Sequence, residues 1–429
     1  MIGCFFGAVG NTSFTFMLLA AKKEDSLEYI QGNRALDDFI SIFFYTWSFF
    51  MKKQKETSTD YMTAVRQGMR FALLCILFFA VPICSACASS SKNAEDEYAF
   101  WKEVGVQASF KAVRMIWAEA SRFNRHDCLA LTNAGYAEID GRATTGALDG
   151  LTRVLKVGRG NHSLVELQSA PTSPLWFAVY DKKSGYVAYL EVDPAAVTED
   201  EIENNTNLFS TAVAEQVNAE HLYANAAEYA AKFDSKIFNG NEFRVVTVAN
   251  ALSVGVPTTV VRSFELHDHY CPGVTSGILM AEYIKKNLPS EKGYFVQTIQ
   301  PWCKEDALIV LLNATPGKRS YSTIYPTDAD IASWAQWAQE ASTVVYRYDS
   351  ASDSWKGTAL GFDWGEGTSC PDYGHSVMNK LCRDLEFVDQ MDSPENFVTE
   401  VKNFDLPAGV HPKEYAGASS RLQELLLEN

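Results

Sequence analysis

The sequence has few cysteines and little positive charge for its length, and its apolar runs are too short for a comfortable membrane span. Nine cysteines in 429 residues, irregularly spaced, are too few for a scaffold held together by disulfides. The 37 lysines and arginines are outnumbered by 53 aspartates and glutamates, which leaves a formal net charge of -16. Nucleic-acid binding needs a clustered basic face, so this charge balance argues against a nucleic-acid partner.

Apolar residues are abundant in total, although they do not form long runs. Hydrophobic residues make up 47% of the chain and aromatic residues 13%, which is ample for packed cores. The length allows two or three domains. We therefore expect a globular protein with additional segments.

An apolar run at 71–83 has the features of a secretory signal. Arg66 and Arg70 precede it, and small residues follow it at 84–91. A basic start, an apolar centre of this length and a small-residue exit define such signals. We predict a signal peptide or lipoprotein signal at 62–88, and therefore an exported protein that is periplasmic or held at the membrane only through its signal or a lipid anchor.

Two cleavage patterns compete at the end of this signal. Ala86-x-Ala88 fits a soluble exported protein that begins at Ser89, whereas Ser85-Ala86-Cys87 resembles a lipoprotein box in which Cys87 carries the lipid. The serine-rich tether that follows favours the lipoprotein. Because the signal begins so far into the chain, residues 1–61 are interpreted as an over-extended gene start, and a membrane anchor ahead of the signal is the alternative.

The stretch at 263–273 reads Ser-Phe-Glu-Leu-His-Asp-His-Tyr-Cys-Pro-Gly. In an extended segment, alternate side chains point to one face, so His267, His269 and Cys271 would project together. Pro272 suits the first position of a helix, which would put Cys271 at a helix N-terminus, where the helix dipole favours a thiolate. Two imidazoles and a thiol in one row predict a ligand set for a metal ion.

Cys303 is the natural fourth member of this set, because it follows a strand-like run at 293–299. With imidazole and thiolate donors, zinc is the default metal, and iron, nickel and copper stay open. An open coordination position would allow catalysis, with Asp306 or Asp268 as orienting group or proton acceptor. We accordingly predict Cys271, His269 and Asp306 as the catalytic residues.

These residues resemble the signature of the FmdE family of formylmethanofuran dehydrogenase proteins, in which a His-x-His-x-Cys-Pro-Gly stretch opens a helix. A cysteine and an aspartate follow in that family, as Cys303 and Asp306 do here, and then a Thr-x-Gly-Lys-like turn. The resemblance covers about 255–365, with Leu266 in place of phenylalanine and Asp268 in place of glycine. It implies an α+β core with a metal or catalytic pocket and no settled reaction.

The turn at Thr315-Pro316-Gly317-Lys318 has two interpretations. Backbone amides and basic side chains can capture an anionic or other small-molecule ligand, which makes Thr315, Gly317 and Lys318 candidate binding residues. A solvated glycine turn is the alternative.

Two stretches, 97–195 and 209–365, have matching patterns. Each has a short helix closed by a glycine turn and then a pair of strands. The strand pairs are predicted at 176–181 with 186–192 and at 344–349 with 356–363. We therefore predict an α+β fold with a mixed or antiparallel sheet and packed helices, built from two related FmdE-like units of which the first lacks the His/Cys motif.

Further elements are predicted from periodicity and residue type. Helical spacing indicates helices at 97–123 and 211–238, and the residue types indicate strands at 129–139 and 244–251. The C-terminal extension, 366–429, ends in an amphipathic run at 419–427. Its Cys370 and Cys382 form a disulfide or remain separate thiols, and two cysteines do not support a zinc finger.

Three functional hypotheses follow. The first is a metal-dependent FmdE-like site outside the cytoplasm, used in catalysis or in metal handling. The second is a metal-free enzyme with Cys271 as nucleophile and His269 or His267 as base. The third is a binding lipoprotein that serves a transporter. A homodimer is compatible with all three.

Overall fold

The computed structural model describes residues 95–197, 208–365 and 367–416. The chain divides into two compact units, Met1–Asn93 and Ala94–Asn429, and every described residue belongs to the second. The predictions for 1–61, 62–88 and 419–427 lie outside the described residues. Within the described part, no helix combines the length and the apolar character that a membrane span requires.

The first five-stranded sheet follows a long helix, α1, at 95–120. Its elements, with a small two-stranded ribbon (β2 and β3), are β1 (Cys128–Thr132), β2 (Glu138–Ile139), β3 (Arg142–Ala143), α2 (Gly146–Leu155), β4 (Leu164–Glu166), β5 (Trp176–Asp181), β6 (Tyr186–Val192) and β7 (Phe209–Gln216). The predicted helix at 97–123, the short helix and both hairpin strands are confirmed.

Five helices connect the first sheet to the second. They are α3 (Ala219–Ala224), α4 (Ala226–Asp234), α5 (Glu242–Val254), α6 (Val261–His267) and α7 (Pro272–Asn287). Residues of α5, α6 and α7 share one hydrophobic core with Leu129, Tyr180 and Tyr189 of the first sheet. Because Tyr270 and Cys271 belong to the same core, the predicted site is anchored in the interior.

The second five-stranded sheet and its helices complete the described chain. The elements are β8 (Tyr294–Ile299), α8 (Lys304–Leu311), β9 (Tyr321–Ile324), α9 (Asp328–Ala332), α10 (Gln336–Glu340), β10 (Thr343–Asp349), β11 (Ser354–Phe362), α11 (Ser376–Val388) and β12 (Val398–Asp405). Cys370 and Cys382, which begin this C-terminal part, form a disulfide, as one of the two predicted alternatives had it.

The two sheets have the same topology. Their strand orders are β4-β1-β5-β6-β7 and β9-β8-β10-β11-β12. In each sheet the first pair is parallel and connected through a short helix, α2 or α8, and the other pairs are antiparallel. The predicted α+β class with mixed sheets is therefore confirmed, and the arrangement is compatible with tandem units, whose relationship stays a prediction.

The predicted strand at 244–251 is wrong, because these residues form most of α5. The run Val245-Val246-Thr247-Val248 has β-branched side chains, which favour strands when only local preference counts. All residues from Val245 to Leu252 are buried, so α5 is apolar around its circumference and has no amphipathic pattern. Tertiary packing decides its conformation.

The predicted helix at 211–238 is only partly correct. Its first part is β7, which pairs antiparallel with β6 and closes that edge of the first sheet. Only α3 and α4 are helical. Alanine favours helices weakly, and the hydrogen bonds to β6 outweigh that preference. The predicted strand at 129–139 is also shorter than expected, since β1 ends at Thr132.

Candidate metal centre

The motif does not form the extended segment that its spacing predicts. His267 is the last residue of α6, and Asp268 then adopts a left-handed conformation with φ of 67°. Cys271 is the N-cap of α7, and Pro272 occupies the first helical position, as predicted. His267 and Cys271 nevertheless meet, because the left-handed residue turns the chain back: His267 Nε2 lies 3.9 Å from Cys271 Sγ.

Cys303 reaches the same place from the start of another helix. It is the N-cap of α8, as Cys271 is of α7. The two helix starts pack closely at Gly273, where an added Cβ would lie 2.7 Å from the Cβ of Cys303 and 2.9 Å from Nε1 of Trp302. The glycine of the Cys-Pro-Gly motif therefore provides the space that brings the two thiols together.

His267, Cys271 and Cys303 each offer one ligand atom, and these three atoms all lie within 4.8 Å of one another. A zinc ion with bonds of about 2.3 Å to sulfur and about 2.0 Å to nitrogen would separate tetrahedral sulfur and nitrogen ligands by roughly 3.6 Å. The 3.9 Å between Cys271 Sγ and His267 Nε2 is close to that value. The donor set fits a transition metal with little movement.

Asp306 fixes the orientation of His267. Its Oδ2 lies 2.7 Å from Nδ1 of His267, so that nitrogen donates its proton to the carboxylate and Nε2 remains for the thiol side. A carboxylate behind a metal-binding histidine sets the tautomer in this way in many metal sites. The geometry therefore favours the predicted orienting role of Asp306.

The charges of the three side chains depend on one another. Burial lowers the pKa of His267, but the hydrogen bond with Asp306 and the neighbouring Cys303 outweigh it and raise that pKa to about 9. A hydrogen bond from the Cys271 thiol is the main reason why the pKa of Cys303 falls to about 4, and the same bond raises the pKa of Cys271. The predicted thiolate at Cys271 is thus corrected to Cys303, which is more exposed and lies beside imidazoles.

His269 lies beside this group and is held from the other side. Its ring centroid is 4.3 Å from that of His267, and its Nδ1 lies 2.6 Å from Oδ1 of Asp268. Arg244 of α5 donates to the second oxygen of Asp268 at 2.6 Å. Burial raises the pKa of Asp268, but the bonds to His269 and Arg244 lower it further, below its usual value. The unusual aspartate between the histidines thus has a defined role as the partner of His269.

Comparison with family models gives one match in this region. Residues 266–357 match the family described as "FmdE, Molybdenum formylmethanofuran dehydrogenase operon". The chain carries an FmdE domain. The match includes all of the predicted site residues: His267, His269, Cys271, Cys303, Asp306, Thr315, Gly317 and Lys318. Comparison with the curated proteins gives no match.

The predicted binding turn of the FmdE domain is a 3-10 turn at Pro316–Lys318. The hydroxyl of Thr315 accepts a hydrogen bond from the amide of Lys318 at 3.3 Å, and the Lys318 ammonium donates to Asn313. None of the three predicted residues belongs to the His/Cys group. Their role as ligand-binding residues stays a prediction.

A buried acid supports the FmdE site from α11. Asp384 is fully buried, and its Oδ1 accepts a hydrogen bond from Thr275 of α7 at 2.9 Å. Oδ2 has no hydrogen-bond partner, and burial raises the pKa of this carboxyl well above its usual value. Thr275 also donates to the carbonyl of Cys271, so Asp384 is two hydrogen bonds from the backbone of the thiol.

Sequence reasoning missed Arg244 and Asp384 near the FmdE site. Arg244 was placed in a predicted strand, and a strand gives no reason to bring it to a residue 24 positions away. Asp384 has no motif around it. A second group, Cys370, Cys382 and Glu386, has metal-binding residue types, but its two sulfurs are joined in the disulfide. It therefore offers no thiolates.

Proposed function

We propose that this chain is an exported protein whose FmdE domain binds a transition metal, zinc by default, through His267, Cys271 and Cys303. The observation that carries this proposal is the convergence of the three ligand atoms within 4.8 Å. His269 lies next to the same group and is proposed as the fourth ligand or as a proton acceptor beside an open position. The reaction is left unassigned.

The chain's own residues prepare the site in three ways. Asp306 holds the Nδ1 proton of His267, which directs Nε2 to the thiols. Asp268 holds Nδ1 of His269, which leaves its Nε2 for a ligand or a proton. The two helix starts at Cys271 and Cys303 favour thiolates. A bound zinc ion would supply Lewis acidity, and an open position would decide between catalysis and metal storage.

Export is part of the proposal and has two supports. The apolar run at 71–83, between arginines and a small-residue exit, has the pattern of a signal, with Cys87 as the proposed lipid attachment site. The disulfide between Cys370 and Cys382 is a bond that persists in oxidising compartments. Intact-mass measurement of the protein from a host with an export system tests this part, and a chain that still carries residues 1–61 contradicts it.

Elemental analysis of the purified protein tests the metal site. We expect about one transition-metal ion per chain, and most of it lost in Cys271→Ser, Cys303→Ser and His267→Ala. Cys128→Ser is the matched control, because Cys128 is a buried free cysteine of the first sheet, outside the group. His269→Ala separates the two roles of His269: it lowers the metal content if His269 is a ligand and leaves it unchanged if His269 is a proton acceptor.

A metal-free thiol enzyme is the second candidate, favoured by the 3.9 Å contact between Cys271 Sγ and His267 Nε2. His267 is the better placed of the two predicted bases, since Nδ1 of His269 is paired with Asp268. Wild-type protein that holds no transition metal, or a Cys271→Ser variant with full metal content, would contradict the metal proposal and favour this candidate.

A further inference from the structure

Two aromatic side chains stand out on the surface of the described residues. Tyr325 is 77% exposed and Trp302 is 68% exposed, and both exceed every other exposed large hydrophobic residue described, of which Trp117 at 57% is the next. Exposed aromatic surface is unfavourable in water unless something covers it for part of the time. The two residues are 23 positions apart in sequence, yet they line the same cavity.

The cavity has a volume of about 490 Å³ and lies between α8, the 3-10 turn and the edge strand β9. This volume is within the range of about 300–1,000 Å³ that is typical of small-molecule sites. Its lining residues are mainly apolar or aromatic: Pro301, Trp302, Glu305, Ile309, Pro316, Tyr321, Ser322, Thr323 and Tyr325. A concave site of this size suits a small molecule better than a flat protein surface.

The lining also includes polar groups with unused hydrogen-bonding capacity. The hydroxyl of Ser322 is buried and has no hydrogen-bond partner. Oε1 of Glu305 also makes no hydrogen bond, although the Lys304 ammonium lies 3.1 Å away and balances its charge. Buried polar groups normally have partners, so these two favour a ligand that carries hydrogen-bonding atoms as well as an apolar surface.

The first turn of α8 separates the cavity from the metal centre. Trp302, Glu305 and Ile309 line the cavity, whereas Cys303 and Asp306 face His267. The indole of Trp302 also reaches the start of α7, where its Nε1 lies 2.9 Å from the position of a Cβ on Gly273. A molecule in the cavity would therefore lie one helical turn from the metal ligands.

We infer that this cavity binds a small planar aromatic or heteroaromatic molecule, with the rings of Trp302 and Tyr325 as its contact surfaces and Ser322 as a hydrogen-bonding partner. Flat rings gain most from aromatic walls because stacking adds to simple area burial. Polar ring atoms or substituents would satisfy the Ser322 hydroxyl. This binding does not rest on the proposed metal, because none of the three metal ligands lines the cavity.

Isothermal titration with riboflavin, adenosine and benzoate, each up to about 1 mM, tests the inference on the purified full chain. We expect at least one of these rings to bind. Trp302→Ala and Tyr325→Ser should weaken that binding by about tenfold or more, the usual loss when a stacking aromatic is removed. Trp302→Phe and Tyr325→Phe keep a ring and should retain most of the affinity.

Controls separate the cavity from the metal centre and from misfolding. Trp117→Ala removes an exposed tryptophan outside the cavity and should leave the affinity unchanged. Cys271→Ser should do the same even though it is expected to lose the metal. Normal metal content in Tyr325→Ser would show that this variant is folded, and far-UV circular dichroism checks the fold independently of the metal.

Three results would overturn the inference. No binding of any of the three rings is the first. Equal loss of affinity in Trp117→Ala and Trp302→Ala is the second. The third comes from light scattering: a wild-type dimer that dissociates in Tyr325→Ser would show that the aromatic pair belongs to an interface between copies of the chain.

Discussion

Gly273 in the first turn of α7 lies so close to Cys303 that a Cβ added to it would stand 2.7 Å from the Cβ of Cys303. Real side chains almost never approach each other this closely, so one of the two helices would have to move. The contact joins the starts of α7 and α8, each of which begins at a cysteine. The spacing of the two thiols therefore depends on the absence of a side chain at residue 273.

Gly273→Ala should impair the metal centre without changing any ligand. The added methyl group would displace Cys303 or Trp302, and such overpacking typically costs about 1–3 kcal/mol of stability. We expect lower metal content and a lower free energy of unfolding, measured by elemental analysis and urea denaturation.

Gly317→Ala is the matched control for this change. An added Cβ at Gly317 meets no atom within 4 Å, and Gly317 is not among the residues with positive φ. Metal content and stability should therefore stay near those of the wild type. Equal behaviour of the two variants would show that the Gly273 contact does not control the site.

Asp306→Asn should weaken metal binding while all three ligands remain. The carboxylate 2.7 Å from Nδ1 of His267 fixes the imidazole, and loss of such a partner typically lowers metal affinity about 10- to 100-fold. Competition with a coloured chelator would measure the change. Asp328→Asn, which changes an exposed carboxylate on α9, should have no effect. Wild-type affinity in Asp306→Asn would exclude an orienting role.

Alkylation should distinguish the free cysteines by their exposure. Cys303 is partly exposed, whereas Cys271 is 4% and Cys128 is 2% exposed. After treatment with a chelator, iodoacetamide should label Cys303 first, and added zinc should protect it because a coordinated thiolate is shielded. Peptide mass mapping over time would show the order. Equal labelling of Cys303 with and without zinc would place that residue outside the metal centre.

Asp384→Asn should change how stability depends on pH. Burial raises the pKa of Asp384, so the folded state keeps a proton that the unfolded state releases above about pH 4. The stability from this group is complete below that pH and is lost as the pH rises towards the folded pKa. Asparagine does not titrate, so the variant should gain up to about 1.4 kcal/mol per pH unit relative to the wild type.

Urea denaturation at several pH values between 5 and 8 would measure this difference. The control is Asp392→Asn, because Asp392 is exposed and should leave the pH dependence unchanged. Parallel stability curves for wild type and Asp384→Asn would mean that the carboxyl of Asp384 is not held in its protonated form.

Some features follow from the sequence by itself, because local chemistry decides them. Pro272 has a fixed φ and no amide hydrogen, which suits the first turn of a helix, and α7 begins there. The strand before Cys303 and the short helix after it were also predictable from residue type and spacing. The imidazole and thiol donors indicate a metal irrespective of the backbone that presents them.

The tertiary structure decided the rest, because it depends on burial and on residues distant in sequence. His267 and Cys271 meet across a helix end and not along a strand, since Asp268 adopts a left-handed conformation that Arg244 stabilises from α5. The α5 helix itself forms only because its β-branched residues are buried on all sides. Likewise, the lower pKa lies at Cys303 and not at Cys271 because folding places the more exposed sulfur beside the histidines.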